Sequence, residues 1–495
     1  MTTQPEKVKP LHIAFRCDAS PEIGSGHVMR CLTLAHYLAK KGNRITFVTE
    51  ETSLNTVAAL RDSRFDIQHS EKNLSVDWLV VDHYGLDKGY EKTARIWADK
   101  IFVIDDLADR EHDCDILLDQ TYGRKKEDYE HLVPSSCEMF CGAEYAILRP
   151  AFIDMRQQLS RQNRAGENIF LSFGGVNPRK ATQRIIDFLD GYRSKSLNIN
   201  VIFGGDKKTY NDIYEHSRKL GYHTYNLHQN SHNIAPLMSE ADLAIGAGGT
   251  MSWERCCMKL PTIGIDLADN QTKLLELLNK RGALINLGKI ESLDKDDFLG
   301  AFSELVENGN RLKTMSDIAG AICDGRGMEK LYPVFIPAVK LRTGEAVTVR
   351  AATMDDCETV FAWQTEEGVR EYSRNPKPPE WGEHKTWFEN ALHDLSRQLY
   401  IVYCDKEACG IVRLDKIHSD ENMTLEHKKE GYEVSILISS AFHGRGMGFA
   451  ALTQLSYIGC GQDLWAMINS DNTKSVEVFN KAGYIHQCNG WYKKA

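Results

Sequence analysis

The segment Arg16–Arg30 (RCDASPEIGSGHVMR) contains residue types suited to acid–base chemistry. Gly24 and Gly26 follow a short apolar run and come directly before an amphipathic stretch, so His27 is predicted in the first turn of a helix. The partial positive charge of a helix N-terminus favours a neutral imidazole, which can accept a proton. The alternative is a glycine turn followed by a helix-capping histidine.

Polar residues also follow two further apolar runs. Asp82, His83 and Tyr84 follow one run, and Asp105 and Asp106 follow the next. The carboxyl ends of parallel strands meet at one edge of a sheet, so these residues are predicted to face the same cleft as His27. For Asp105 and Asp106 we expect helix capping and solvation rather than catalysis.

A second glycine motif lies in Ile245–Asp266 (IGAGGTMSWERCCMKLPTIGID). Its loop amides are predicted to bind a pyrophosphate, and Glu254, one turn into the following helix, to accept hydrogen bonds from two ribose hydroxyls. Gly174 and Gly175 end another strand and are predicted to close on the phosphates, with a tight strand-to-helix turn as the alternative. The loop residues predicted to bind are Gly248, Gly249 and Thr250.

A third glycine motif lies in Glu433–Leu452 (EVSILISSAFHGRGMGFAAL). Glycines at alternate positions before a helix leave amides free for another pyrophosphate. The glycines and the arginine between them are Gly444, Arg445, Gly446 and Gly448.

The elements that must position these motifs are predicted from apolar periodicity. Residues 11–337 alternate short apolar runs with amphipathic stretches, which is typical of parallel strands buried on both faces. The polar stretch Arg156–Gly166 is predicted to be a linker, and a second boundary falls near 333–346. We therefore predict an α/β protein: two Rossmann-like domains, 1–160 and 161–335, followed by an α+β domain, 345–495.

Composition limits the function. The chain has 495 residues and a net charge of -9, which argues against non-specific nucleic-acid binding. Thirteen cysteines without a CxxC pair predict reduced thiols and no zinc site. The first residues, MTTQPEKVKP, are not a signal peptide, and no apolar run can span a membrane. We expect a cytoplasmic protein without a bound metal.

Residues 11 to about 335 resemble the UDP-sugar hydrolases of pseudaminic acid biosynthesis, which have the GT-B architecture. The matching segments are RCDASPEIGSGHVMRCLTLA, VVDHYG, CDILLDQTYGR, FGGVNPRK and GAGGTMSWE. The resemblance implies His27 as general base and Asp18, Gly26 and Tyr84 as substrate contacts, with Glu254 on the ribose. It also implies UDP-2,4-diacetamido-2,4,6-trideoxy-β-L-altropyranose as substrate, UDP and the free sugar as products, and no metal.

The C-terminal part resembles the GNAT acetyltransferases. Its glycine loop and Asn469–Tyr484 (NSDNTKSVEVFNKAGY) match two GNAT elements in the right order. The resemblance implies acetyl-CoA as co-substrate, bound by Arg445, Gly446, Gly448, Asn472 and Phe479, and the 4-amino group of a UDP-linked amino sugar as acceptor. His384, in HKTWF, resembles a substrate contact of such enzymes, whereas helix packing is the alternative for its neighbours Trp387 and Phe388.

Several alternatives remain open at the level of sequence. Phe479 stands where many GNAT enzymes have an acidic tyrosine, so either Tyr484 or a water molecule protonates the thiolate. The first half is alternatively a GT-B glycosyltransferase or a nucleotide-sugar-binding scaffold. The stereoisomer of the sugar, the oligomeric state and channelling between sites are not determined.

Overall fold

In the computed structural model, the apolar runs of the first two-thirds of the chain form buried parallel strands, as their periodicity predicts. The structure describes residues 10–20, 23–159, 166–174, 179–231, 233–417 and 431–495. His12–Tyr37 and Arg44–Met328 form one compact unit. Leu38–Asn43 and Glu329–Ala495, with the described end of Met1–Leu11, form the other.

The first sheet carries the His27 motif. Its strands β1 to β7 are His12–Cys17, Arg44–Val48, Asp66–Gln68, Val76–Asp82, Ala98–Ile104, Ile116–Asp119 and Glu138–Cys141. Helices α1 to α5 are Gly26–Lys40, Glu51–Thr56, Ala58–Arg61, Lys88–Ala94 and Pro150–Gln158. The strands are all parallel, in the order β3-β2-β1-β4-β5-β6-β7. Because β1 pairs with β4, Cys17 and Asp82 lie side by side at the carboxyl edge.

The second sheet repeats this winding. Its strands β8 to β13 are Asn168–Ser172, Asn198–Phe203, Thr224–Gln229, Leu243–Gly246, Thr262–Asp266 and Leu284–Lys289. Helices α6 to α13 are Arg179–Leu189, Lys207–Ser217, Ala235–Glu240, Met251–Cys257, Asp269–Arg281, Lys295–Glu307, Gly309–Ile322 and Gly327–Leu331. The parallel order β10-β9-β8-β11-β12-β13 puts the switch point between β8 and β11, where open α/β sheets bind ligands.

Helix α5 joins the two sheets. Arg156 near its end donates hydrogen bonds to the carbonyls of Cys257, Gly320 and Cys323 in the second domain, at 2.7–3.0 Å. The predicted linker therefore begins too early, because Arg156–Gln158 are helical and Arg156 is bonded to the second domain.

The third sheet is mixed. Strands β14 to β21 are Val339–Lys340, Ala346–Ala351, Arg397–Cys404, Glu407–Lys416, Tyr432–Ile438, Leu464–Met467, Tyr484–Cys488 and Trp491–Lys494. Helices α14 to α17 are Cys357–Thr365, Trp381–His393, Met447–Ile458 and Thr473–Lys481. The order is β14-β15-β16-β17-β18-β19-β21-β20. Neighbouring strands are antiparallel except β18 and β19, which pair in parallel at Tyr432–Leu464 and Glu433–Trp465.

The predicted fold class is confirmed: two Rossmann-like domains of the GT-B type precede an α+β domain. The domain boundaries stay predictions, and the third sheet already begins at Val339, ahead of the predicted position 345. All thirteen cysteines are free thiols. None of the helices within the described ranges combines the length and apolar character that a membrane crossing requires.

Candidate functional site

A glycine turn leads from β1 into α1. Gly24 donates its amide to the Ser20 carbonyl at 2.7 Å and has a φ of +84°, a conformation that a side chain disfavours. Helix α1 begins at Gly26, where an added Cβ would meet no heavy atom within 4 Å. The turn therefore leaves open space beside the first turn of α1, where His27 lies.

His27 and Asp82 form the central pair of this site. His27 Nδ1 lies 2.5 Å from Asp82 Oδ1, and the two residues are 7% and 0% exposed. Because an ionised carboxylate can only accept, Nδ1 carries the proton of this bond. In a neutral imidazole the other nitrogen, Nε2, then has the free lone pair and can accept a proton from water.

Arg30 holds the same carboxylate from the next turn of α1. Its Nε donates to Asp82 Oδ2 at 2.8 Å and its Nη2 to Oδ1 at 2.7 Å. Burial by itself raises the pKa of Asp82, but the charge of Arg30 and the hydrogen bonds from His27 and Arg30 outweigh it and lower the pKa to about 2. Asp82 is therefore ionised at neutral pH despite complete burial.

Tyr84 covers the exposed side of the pair. Its ring meets the His27 ring edge to face, with centroids 4.4 Å apart and an interplanar angle of 89°. The Tyr84 residue is 46% exposed, and its hydroxyl points to Asp106 Oδ2 at 3.5 Å. An aromatic residue open to solvent beside His27 is well placed for a substrate, and the contact itself stays a prediction.

Asp18 is already bonded on both oxygens. Its Oδ1 accepts from Thr49 Oγ1 at 3.1 Å and from the Glu50 amide at 2.8 Å, while Oδ2 pairs with Arg16 at 2.6 Å and His83 at 3.4 Å. Burial opposes ionisation, but these hydrogen bonds hold the pKa of Asp18 well below its usual range. The predicted substrate contact would have to form in addition to these four.

Asp105 and Asp106 differ, although the sequence predicts capping and solvation for both. Asp105 Oδ2 accepts from the Ala108 amide and from the Tyr129 hydroxyl, each at 2.8 Å, so its role is structural. This carboxylate is, however, buried rather than solvated, and it bonds to a loop amide rather than capping a helix. The Asp106 side chain is instead three-quarters buried, beside Tyr84. Solvation therefore does not describe Asp106, and this residue was missed as a member of the site.

In the second glycine loop, the glycines serve different purposes. A Cβ on Gly248 would lie 2.7 Å from Leu275 Cγ and 3.1 Å from the Gln271 carbonyl, so Gly248 permits close packing on α10. A Cβ on Gly249 would meet nothing within 4 Å. Thr250 next to it is exposed. Of these positions, Gly249 and Thr250 are the ones that present an open surface to a ligand.

A buried arginine of α9 donates hydrogen bonds to this loop and to the start of the helix. Arg255 is 2% exposed, and its Nη2 donates to the Ala247 carbonyl at 2.6 Å and to Ser252 Oγ at 2.9 Å. Burial lowers the pKa of Arg255 to about 10, which still leaves it charged at neutral pH. The loop is therefore held rigid before any ligand arrives.

Glu254 is paired with an arginine from the start of α5. Arg149 Nη2 lies 2.9 Å from Glu254 Oε1. Burial raises the pKa of Glu254, and the Arg149 charge opposes that rise. Gly174, with a φ of +56°, lies at the same edge, since a Cβ there would be 4.0 Å from the Met251 side chain. Gly175 lies outside the described residues.

The loop between β18 and α16 has the open backbone that the sequence predicts. Gly444 and Gly446 have φ of +75° and +89°, and a Cβ on Gly444 would meet nothing within 4 Å. Gly448 lies in the first turn of α16 and approaches Val478 of α17. The first amides of a helix have no intrahelical acceptor, so this loop offers hydrogen-bond donors to an anion.

The other predicted cofactor residues have structural partners. Arg445 Nη2 lies 2.8 Å from Glu345 Oε1. Asn472 Oδ1 caps α17 by accepting from the Ser475 amide at 3.1 Å. Phe479 is 4% exposed and packs edge to face on Tyr484 with centroids 4.9 Å apart. Their predicted contacts with the cofactor remain untested.

His384 does not face a surface that a substrate can reach. It is 1% exposed, and its Nε2 lies 3.0 Å from the Cys357 carbonyl. Aromatic rings surround it: Phe361, Trp381, Trp387 and Phe388, at centroid distances of 5.3–6.1 Å. The predicted substrate contact is therefore corrected to a packing role, because residues 384, 387 and 388 share the inner face of α15.

In the described ranges, no group of three or more His, Cys, Asp or Glu side chains has an arrangement that could hold a metal ion.

The two loop glycines yield a paired prediction. Gly248→Ala places a methyl group against Leu275 and the Gln271 carbonyl, and overpacking of this kind costs about 1–3 kcal/mol. We expect it to lower the unfolding temperature by several degrees. Gly249→Ala enters open space and serves as the matched control, with an unfolding temperature near that of the unmodified protein. Equal melting curves for both variants, measured by circular dichroism, would contradict the assigned packing.

Comparison with known proteins agrees with the division of the chain into two Rossmann-like domains and a following α+β domain. The acetyltransferase (GNAT) domain family matches residues 346–485. An uncharacterised protein of Methanocaldococcus jannaschii is 24% identical and covers 96% of both chains. The UDP-2,4-diacetamido-2,4,6-trideoxy-beta-L-altropyranose hydrolase of Campylobacter jejuni is 27% identical over 55% of this chain and 97% of its own. The crystal structure of MurG from Acinetobacter baumannii is 16% identical, with a TM-score of 0.49 over 66% of this chain and 99% of its own. The chain is therefore a fusion of a sugar-nucleotide hydrolase-like region, made of two Rossmann-like domains, with a GNAT acetyltransferase domain.

Proposed function

We propose that the hydrolase-like region splits UDP-2,4-diacetamido-2,4,6-trideoxy-β-L-altropyranose into UDP and the free sugar, with His27 as general base. The observation that carries the proposal is the buried His27–Asp82 pair, in which Nδ1 faces the carboxylate and Nε2 is the nitrogen left to accept a proton. The similarity to the Campylobacter jejuni hydrolase over almost the whole of that protein supports the choice of substrate.

In the proposed reaction, Nε2 of His27 takes a proton from a water molecule whose oxygen bonds to the anomeric carbon of the sugar. The bond between that carbon and the β-phosphate oxygen breaks, and its electron pair leaves with UDP. Asp82 stabilises the imidazolium that forms, because its carboxylate is already ionised and hydrogen-bonded to Nδ1. Tyr84 would contact the sugar from the exposed side of His27.

The UDP moiety would bind at the second sheet. We assign the diphosphate to the amides near Gly249 and Thr250, with Gly174 at the same edge of the sheet. Gly248 would contribute through its backbone. Glu254 would accept hydrogen bonds from the ribose hydroxyls, and the Arg149 charge keeps this half-buried carboxyl closer to its ionised form.

Replacing His27 tests the base. His27→Ala removes the proton acceptor, and loss of a general base typically costs about 10²–10⁴-fold in rate. We expect UDP release without any added acceptor to fall by that factor, while the chain still transfers acetyl groups. Near-normal UDP release would reject His27 as the base. No release by the unmodified protein unless an acceptor alcohol is added would indicate a glycosyltransferase, and binding without turnover would indicate a scaffold.

Replacing Asp82 tests the orienting carboxylate. Asp82→Asn keeps the shape but removes the charge that stabilises imidazolium, and loss of the carboxylate that orients a catalytic histidine costs about 10²–10⁴-fold in kcat. We expect kcat for UDP release to fall in that range with the Kd for UDP unchanged. The unchanged Kd for UDP reports that the hydrolase-like region of the variant has folded. A kcat equal to that of the unmodified protein would show that His27 acts without this partner.

For the acetyltransferase domain we propose acetyl-CoA as donor and the 4-amino group of a UDP-4-amino-4,6-dideoxy sugar as acceptor. The glycine loop from Gly444 to Gly448 fits the pyrophosphate of coenzyme A, with Arg445 nearby. Within the described chain, β18 pairs with β19 only as far as Glu433, so its edge from Val434 onward can hydrogen-bond an extended ligand. Asn472 and Phe479 would line the same cofactor from α17.

In the proposed transfer, the amine nitrogen bonds to the thioester carbonyl carbon, the carbon–sulfur bond breaks, and the amine loses a proton as the thiolate gains one. Phe479 has no proton to give, and Tyr484 is 2% exposed with a buried hydroxyl. Burial also raises the pKa of Tyr484. We therefore assign the thiolate proton to a water molecule.

The two reactions fit together as consecutive steps. Acetylation of the 4-amino group yields the diacetamido sugar that the hydrolase consumes, as in the pseudaminic acid pathway that the resemblance implies. Both UDP-sugars and acetyl-CoA would be drawn from the cytoplasm.

A reciprocal pair of variants tests this assignment in the full-length protein. Gly446 has a left-handed φ at the start of α16, so Gly446→Val strains the loop and fills it with a side chain. We expect acetyl transfer to a UDP-4-amino sugar, followed by mass spectrometry, to fall at least about 10-fold while UDP release from the acetylated sugar is unchanged. His27→Ala should show the opposite pattern. Loss of both activities in either variant would argue against two separate sites.

A further inference from the structure

The carboxylate of Asp106 also lies at the His27 site. Asp106 follows β5, which pairs with the strand that ends at Asp82. Its Oδ2 is 3.5 Å from the Tyr84 hydroxyl and 3.7 Å from Arg30 Nη1. Tyr84 therefore contacts His27 with its ring and Asp106 with its hydroxyl. Asp106 thus lies beside the side chains that are proposed to carry the reaction.

Asp106 has hydrogen-bonding capacity that the protein does not use. Its Oδ1 is buried and accepts no hydrogen bond from the described residues, and its Oδ2 has only the two long contacts. Distances of 3.5 and 3.7 Å lie at or beyond the limit for a hydrogen bond. A buried acceptor without a donor costs free energy, so this carboxyl favours a ligand that supplies donors.

Two other carboxylates at this edge, Asp82 and Asp105, have closer partners than Asp106. Asp82 accepts from His27 and from two nitrogens of Arg30. Asp105 Oδ1 faces Arg110 Nη1 at 2.7 Å, and its Oδ2 is hydrogen-bonded. Asp105 Oδ1 likewise accepts no hydrogen bond from the described residues, so Asp106 differs in having neither a close ion pair nor a hydrogen bond shorter than 3.5 Å.

The backbone around Asp106 and Tyr84 is fixed by arginines. Arg124 Nη2 donates to the Asp106 carbonyl at 2.9 Å. Arg110 donates to the Leu86 carbonyl at 3.0 Å and to the His83 carbonyl at 3.3 Å, on either side of Tyr84. Such preorganisation is what a binding residue requires, because little ordering is left to be done when the ligand arrives.

We propose that Asp106 is a sugar-binding residue of the hydrolase site, whose carboxylate accepts hydrogen bonds from hydroxyl or amide N–H groups of the sugar. The proposal rests on the proposed hydrolase function. A diacetamido sugar offers two amide N–H groups and a ring hydroxyl, whereas the nucleotide would be held by the second sheet. Asp106 would therefore determine affinity for the sugar and not for UDP. Burial raises the pKa of Asp106, in keeping with a carboxyl whose charge the protein leaves poorly compensated.

The test measures binding without turnover. In the full-length His27→Ala protein, the Kd values of the intact UDP-diacetamido sugar and of UDP are compared by calorimetry, with and without Asp106→Ala and Asp106→Asn. Glu111→Gln is the control, since Glu111 lies on the same loop, its side chain is 59% exposed, and it pairs with Lys88 rather than with Arg110. Hydrogen bonds to a charged group predict at least about a 10-fold weaker Kd for the UDP-sugar in Asp106→Ala, a smaller loss in Asp106→Asn, and an unchanged Kd for UDP.

Two outcomes would overturn the assignment. Equal UDP-sugar affinity with and without Asp106→Ala would show that the carboxylate does not contact the sugar. Parallel weakening of UDP-sugar and UDP would show that Asp106 acts through the fold or the nucleotide site. The hydrolase function is tested separately, by UDP release from the protein with His27 intact. If no UDP were released, the hydrolase proposal would fail, but the comparison of Kd values for the Asp106 variants would still be valid.

Discussion

The buried charge of Asp82 is the constraint on which the hydrolase-like region depends. Moving a carboxylate out of water costs several kcal/mol unless charged and hydrogen-bonding partners replace the solvent. Arg30 and His27 supply them from consecutive turns of α1, so the helix must begin at a fixed place relative to β4. The parallel pairing of β1 with β4 and the sharp glycine turn after β1 meet that requirement. The free lone pair at His27 Nε2, on which the proposed base chemistry depends, then follows from how the charge of Asp82 is neutralised.

Three of the glycine loops that lead into helices, those before α1, α9 and α16, solve different steric problems. Gly26 leaves a gap beside a reactive side chain. Gly246 and Gly248 instead admit neighbouring side chains and backbone, from Arg255 below and Leu275 of α10. Gly444 and Gly446 are needed for left-handed backbone angles. Similar glycine patterns thus leave open space in one loop, allow close packing in the second and permit left-handed backbone angles in the third. The elements packed around each loop determine which of these effects the glycines have.

Sequence reasoning was accurate where local pattern determines the outcome. Buried parallel strands read as continuous apolar runs, so most strands and the start of α1 were predictable, as was the clustering of His27, Asp82 and Tyr84 at strand ends. The specific bond between His27 and Asp82 was not, because it spans 55 positions and depends on strand order. Asp105 and Asp106 look equivalent in sequence, yet Tyr129 and Arg110 engage only the first. His384 was misassigned because the pattern HKTWF does not reveal which face of α15 is inward.

The pairing of Arg149 with Glu254 bears on how quickly the enzyme can release its product. One oxygen of Glu254 already accepts from Arg149, so a ribose hydroxyl at this proposed site would gain less there than from a carboxylate without a partner. UDP is part of the proposed substrate and is also a proposed product. Affinity for that shared portion strengthens the substrate complex and the product complex alike, without lowering the barrier between them. Because Arg149 already neutralises part of the Glu254 charge, the proposed nucleotide site would bind UDP less tightly. Release of UDP then need not become the slowest step of the reaction cycle.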